Sequence, residues 1–178
     1  MRVEGPVPMA DFPANPIQTL LFPRGDAAAV RFCWDIPKYD SCQMRLARPD
    51  GTVQVLKNSN VRQLLWTRDG KYLIGAGVNT VRLWNLVGGA RTAVPQTPVD
   101  EPNRVTRTRT ITGLQLHGNG LCVKLLADVF RKSGGLALAQ RSTTVHYALP
   151  SLRPVESVTL PARSDATAPC TMPHAEPG

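Results

Sequence analysis

An all-β chain, built from short antiparallel strands in repeated four-stranded units, is the fold the sequence predicts. Three observations predict it. Sixteen prolines and fourteen glycines are spread along 178 residues and punctuate short apolar runs, a pattern of tight turns rather than long helices. Three segments align: IQTLLFPRGD (17–26), VRQLLWTRDG (61–70) and ITGLQLHGNG (111–120). Each opens with a β-branched residue and places apolar side chains three and five positions on: Leu20 and Phe22, Leu64 and Trp66, Leu114 and Leu116. Each then runs into a polar turn containing glycine. The starts lie 44 and 50 residues apart (17, 61, 111), a period that suits one four-stranded sheet per repeat.

The elements follow in order. Residues 1–16 are proline-rich and without periodicity, and read as a flexible arm. The first repeat, 17–57, continues with Ala28, Val30, Phe32 and Trp34 alternating along one strand. Met44 and Leu46 mark the next, Pro49-Asp50-Gly51 a turn, and Thr52–Leu56 the last strand. The second repeat, 61–95, is the clearest. Val61–Trp66 is its first strand and Thr67-Arg68-Asp69-Gly70 a turn with glycine where positive φ is expected. Lys71–Ala76 is the second strand, Thr80–Leu86 the third, and Arg91–Val94 the short fourth. The third repeat, 111–160, ends in TVHYAL, a Pro150–Pro154 turn and VESVTL. Its middle leaves open whether LCVKLLADV or GLALAQ is the second strand. A short helix over 121–132 is the alternative there: Leu121, Leu125, Leu126 and Val129 form a helical stripe, and Gly134 would cap it. Residues 161–178 read as a disordered tail.

The segment KYLIGAGVNTVRLWNL (71–86) also carries the start of a dinucleotide-binding loop, Gly75-Ala76-Gly77. The chemistry of that loop needs a third glycine and a following helix whose N-terminus faces the pyrophosphate. Here Thr80 takes the third position, and a β-branched and aromatic run follows, ended by Gly88-Gly89. A strand explains these letters better. Val81 and Leu83 lie on one face and Trp84 and Leu86 on the other, as expected of a strand covered on both sides.

VRQLLWTRDGKYLIGAGVNTVRLWNL resembles a WD40 repeat, with its D-G-K turn and its T-V-R-L-W third strand; Asn85 stands where Asp usually follows the Trp. VHYALPSLRPVESVTL resembles the passage from third to fourth strand of another such repeat. The resemblance implies a β-propeller-like array of about three four-stranded antiparallel blades and a non-enzymatic scaffold that binds a protein or peptide. Of the family's hydrogen-bonding tetrad only Trp84 is kept. Asn79 stands in the place of the Asp and Gly75 in that of the Ser. Propellers close with about four to eight blades. Three blades therefore imply either association of copies of the chain or a fragment of a longer propeller.

Composition sets the remaining expectations. Hydrophobic residues are 42%, charged residues 19% and the net charge is +8, which favours acidic partners. Cys33, Cys42, Cys122 and Cys170 include no C-x-x-C pair and the first residues carry no secretory signal. Reduced thiols and an intracellular place, cytoplasmic or nuclear, are expected. No apolar run approaches the ~20 residues that span a bilayer. Of His117, His146 and His174, the closest pairs with cysteines are Cys170-x-x-x-His174 and His117-x4-Cys122, neither of which comes with a second pair at metal-finger spacing, and no nucleophile elbow or phosphate-binding loop appears. A catalytic set, a metal and a cofactor are therefore not expected. The binding candidates are the turn residues Arg68, Asp69 and Lys71, with Arg82. A second set, Arg104, Arg107 and Arg109, lies in an Arg-Thr alternating strand that suits nucleic-acid phosphates or a charge-protected sheet edge.

Overall fold

The computed structural model describes residues 14–21, 27–36, 39–56, 61–86 and 89–161. Of the arm read over 1–16 and the tail over 161–178, residues 1–13 and 162–178 lie outside them, whereas 14–16 and Pro161 belong to strands. Among the described residues twelve strands form three antiparallel sheets of four, each in the order of the chain, and there is no helix. The first sheet holds β1 (Ala14–Leu21), β2 (Ala28–Ile36), β3 (Tyr39–Ala47) and β4 (Val53–Leu56). The second holds β5 (Gln63–Trp66), β6 (Tyr72–Ala76), β7 (Val81–Asn85) and β8 (Ala90–Ala93). The third holds β9 (Arg104–His117), β10 (Gly120–Arg131), β11 (Ala139–Ala148) and β12 (Arg153–Pro161). Its first strand starts at Arg104 rather than at 111, so the Arg-Thr segment belongs to it.

The contacts divide the chain into two compact units. One contains the first two sheets; the other contains Val78–Thr80 and everything from Ala93 onward. In the first unit, the two sheets share a core of Ala27, Ala29, Met44, Leu46, Leu56, Val61, Trp66, Leu73 and Trp84. Strand β7 is buried on both faces: Val81, Leu83 and Trp84 are each at most 2% exposed. Two arginines tie the sheets together. The Arg31 guanidinium donates to the carbonyls of Val61 (3.2 Å) and Arg62 (2.6 Å), and Arg48 donates to Gln54 Oε1 and to the Leu86 carbonyl. Burial lowers the pKa of Arg31.

Gly75 answers the nucleotide-loop question physically. A Cβ there would stand 2.9 Å from both Trp84 Cζ3 and Val61 Cγ1. The glycine makes room for an indole, not for a phosphate.

In the second unit, the segment 121–132 is the central strand β10, the LCVKLLADV reading of the second strand, and the alternative short helix does not form. Leu121, Val123, Leu125, Ala127 and Val129 are all buried, a period of two. Pairing with β9 on one side and β11 on the other satisfies the backbone along its length. The segment 94–100 lies against the same face. Pro95 and Pro98 have no N–H to give a ladder. Threonine hydroxyls take up its polar groups instead. Thr106 donates to the Thr97 carbonyl (2.7 Å), Thr108 to the Pro95 carbonyl (3.0 Å), and Thr143 to the Thr97 hydroxyl (2.9 Å), with Thr159 3.0 Å from Thr143. Thr143 is fully buried and Thr97 nearly so. Thr143→Val is therefore expected to destabilise by about 1–3 kcal/mol, because it strips a partner from buried Thr97. Urea unfolding followed by circular dichroism measures it, and a loss below a few tenths of a kcal/mol would contradict the hydroxyl chain.

Cys42 and Cys122 each take part in a disulfide, against the expectation of reduced thiols. Spacing along the chain shows only near pairs, whereas a disulfide needs proximity in the fold.

Candidate functional site

The turn between β5 and β6 holds three of the expected binding residues, and its geometry explains one of them structurally. The Thr67 hydroxyl (2.6 Å) and the Lys71 amide (3.1 Å) both donate to Asp69 Oδ1. These bonds hold the Asp69 carboxyl below its ordinary pKa, the Thr67 hydroxyl contributing most. Gly70 closes the turn at φ 66°. The turn from β3 to β4 repeats the device. The hydroxyl (2.6 Å) and amide (2.9 Å) of Thr52 donate to Asp50, and Gly51 sits at φ 83°. Asp69 therefore serves the turn, while Arg68 and Lys71 are exposed beside it.

Arg82 does not join them. It lies opposite Gly75 in the sheet, whereas the turn adjoins the Tyr72–Asn85 end. Its guanidinium donates to the Thr92 hydroxyl at 3.0 Å. Asn79 is exposed in the turn between β6 and β7. Trp84 lies in the core, 2% exposed.

The three arginines of β9 part company. Two register shifts, at Thr112 and Arg109, interrupt the pairing of β9 with β10. Arg104 pairs across from Arg131 and shares a face with Thr106 and Thr108. Arg107 pairs across from Asp128 on the opposite face and stacks 5.5 Å over the Phe130 ring. Arg109 reaches the same Asp128 at 3.9 Å, and the Gln140 amide donates to that carboxylate. Arg107 and Arg109 thus gather around one carboxylate and one aromatic ring, and Arg104 belongs to another cluster. Sequence reasoning missed Asp128, Phe130, Arg131 and Lys132. Counting outward from the His117–Gly120 turn lays β10 on β9, but the two register shifts move the far pairings by two residues, so the count would have set Arg131 opposite Thr106 rather than Arg104.

A second feature of the third sheet is an open groove of about 320 Å³ between the 94–98 segment and strands β11 and β12. Val94, Pro98, Val145, Tyr147, Val155 and Glu156 are among its walls. Tyr147 is 4% exposed, and burial pushes its phenol up to about 12. The neutral form is favoured in the fold. The stability this confers is complete below the unfolded value of about 10 and is lost as pH rises through 12. Tyr147→Phe should flatten the alkaline limb of the stability profile. Unfolding midpoints between about pH 9 and 12 measure it, and parallel profiles for both proteins would contradict the burial.

Among the described residues no group of three His, Cys, Asp or Glu side chains is placed to hold a metal ion, and no helix is long and apolar enough to cross a membrane. Compared with known proteins, the chain matches no family model, and no curated protein matches it.

Proposed function

We propose that the protein is a non-enzymatic interaction scaffold of WD40-like propeller type, which binds a protein or peptide partner. One observation carries this reading. Successive four-stranded meanders follow the chain, and the first two share a core through apolar faces as neighbouring blades would. The partner surface is the third sheet's outer strand β12 with the groove beside it. Val155, Val158 and Leu160 are 69%, 44% and 56% exposed along that edge strand. Open sheet edges take extended peptides by strand addition. Selection from a displayed random-peptide library against the intact protein tests it. Extended apolar peptides should be enriched and should lose binding to Val155→Lys with Leu160→Lys. Failure to enrich any peptide, or binding unchanged in that variant, would overturn the reading.

Propeller closure requires more than the three sheets found among the described residues, so a homo-oligomer or a longer parent chain belongs to the same proposal. Light scattering should then return a mass of twice 19.4 kDa for the isolated chain if closure is by association. As to location, the disulfides of Cys42 and Cys122 favour an oxidising compartment over the cytoplasm or nucleus.

A second reading, nucleic-acid association through Arg104, Arg107 and Arg109, has the stacking of Arg107 on Phe130 in its favour. Against it, Arg107 and Arg109 surround Asp128 and Arg104 faces away. A steep loss of oligonucleotide affinity with salt, blunted by Arg107→Ala with Arg109→Ala, would favour it.

A further inference from the structure

At one corner of the third sheet, Arg104 and Arg131 stand directly opposite each other on β9 and β10, and Lys132 follows at once. Like charges placed directly across strands repel and destabilise the pair. The local carboxylate does not relieve this. Glu101 divides its two oxygens between Arg104 Nε at 3.6 Å and Arg141 at 3.1 Å. Among the described residues no carboxylate lies within ion-pair distance of Arg131 or Lys132. A guanidinium nitrogen of Arg104 is moreover buried with no hydrogen-bond partner. Buried donors are ordinarily satisfied.

These groups are not scattered over a flat surface. Pro102, Asn103, Arg104, Arg131, Lys132 and Ser133 line a cavity of about 420 Å³. The corner has a fixed frame: the Lys132 amide donates to the Asn103 carbonyl at 2.9 Å, and Asn103 holds φ 63°. Asparagine tolerates that left-handed conformation better than most residues. Its lining residues include two arginines, a lysine and a serine, side chains that donate to a tetrahedral anion. It has no aromatic wall on which a base could stack.

We propose that this cavity binds the phosphate group of a small phosphorylated ligand. The anion supplies the charge that the opposed arginines lack, and Arg131 and Lys132 reach it from the β10 end while Arg104 reaches it from β9. The inference is independent of the scaffold reading, because the peptide edge β12 and this corner use different residues.

The test is titration of the intact protein with inorganic phosphate and with a sugar monophosphate, followed by amide and guanidinium NMR shifts. Saturable shifts confined to residues 102–104 and 131–135, weakened at least tenfold by Arg131→Gln, are the expected result. Arg131 is exposed, so that variant leaves the fold intact, and Lys124→Gln on the same strand serves as the charge control. Tighter binding of the sugar phosphate points to an esterified ligand, equal binding to free phosphate, and either supports the site. Absence of saturation at millimolar phosphate, or equal weakening by Lys124→Gln, overturns it. So does an unphosphorylated single-stranded oligonucleotide that binds more tightly than both probes while the corner amides stay unmoved.

Discussion

Trp84→Ala is expected to lower the stability of the first unit by about 3–5 kcal/mol, the range for truncating a fully buried large aromatic. The indole is 2% exposed and shares a core with Met44 and Leu46 of the neighbouring sheet. Its removal leaves a void bordered by side chains from both sheets, which cannot close without moving strands. The complementary substitution, Gly75→Ala, should cost about 1–3 kcal/mol by overpacking, since its Cβ would meet the indole at 2.9 Å. Both effects have one source, so they should not add. In a Trp84→Leu background the Gly75→Ala penalty should shrink, and the double-mutant cycle gives the coupling. Urea unfolding of the four proteins measures it. A Trp84→Ala loss under about 1 kcal/mol would mean that the two sheets are not joined through this ring.

Leu125→Ala carries the second large effect, about 2–5 kcal/mol, because Leu125 is fully buried at the centre of the third sheet. Its neighbours make the test specific to the strand. A helix would put Leu125 and Leu126 on one stripe and turn Val123 away. The strand buries Val123 with Leu125 and leaves Leu126 half-exposed on the other face. Val123→Ala should therefore cost on the order of 2 kcal/mol and Leu126→Ala clearly less. The reverse order would support the helical stripe.

That contrast shows where the sequence was ambiguous. In 121–132 the apolar residues satisfy both periods, since Leu121, Leu125 and Val129 recur at intervals that suit a helix and a strand alike. Only the pairing of β10 with strands on both sides separates the two. The second sheet was legible because its turns are written in local chemistry. Asp69-Gly70 in the turn after Thr67, the short apolar run of β6 and the β-branched start of β7 each specify their conformation within a few residues.

The candidate site was legible only in part. Arg107 and Arg109 were expected on one face, because an unbroken strand puts alternate residues together, and the same parity sets Arg104 on the other face. Arg107 and Arg109 still gather at Asp128 across the register shift at Arg109, and Arg104 lies with Thr106, whose hydroxyl donates to the Thr97 carbonyl. The threonines between the arginines proved to be inward-facing donors, needed because two prolines rob the 94–100 segment of a ladder. Arg131 and Lys132 carry no signal of their own, since any hairpin loop can be basic.

The sequence by itself determined the all-β class and the strands and turns of the second sheet, because turn residues and short β-branched or apolar runs act over a few positions. Only the tertiary structure decided which arginine faces which, that Gly75 shelters an indole, and that Cys42 and Cys122 are oxidised. Those facts depend on register and packing between distant segments, and a one-residue slip in register exchanges the two faces of a strand.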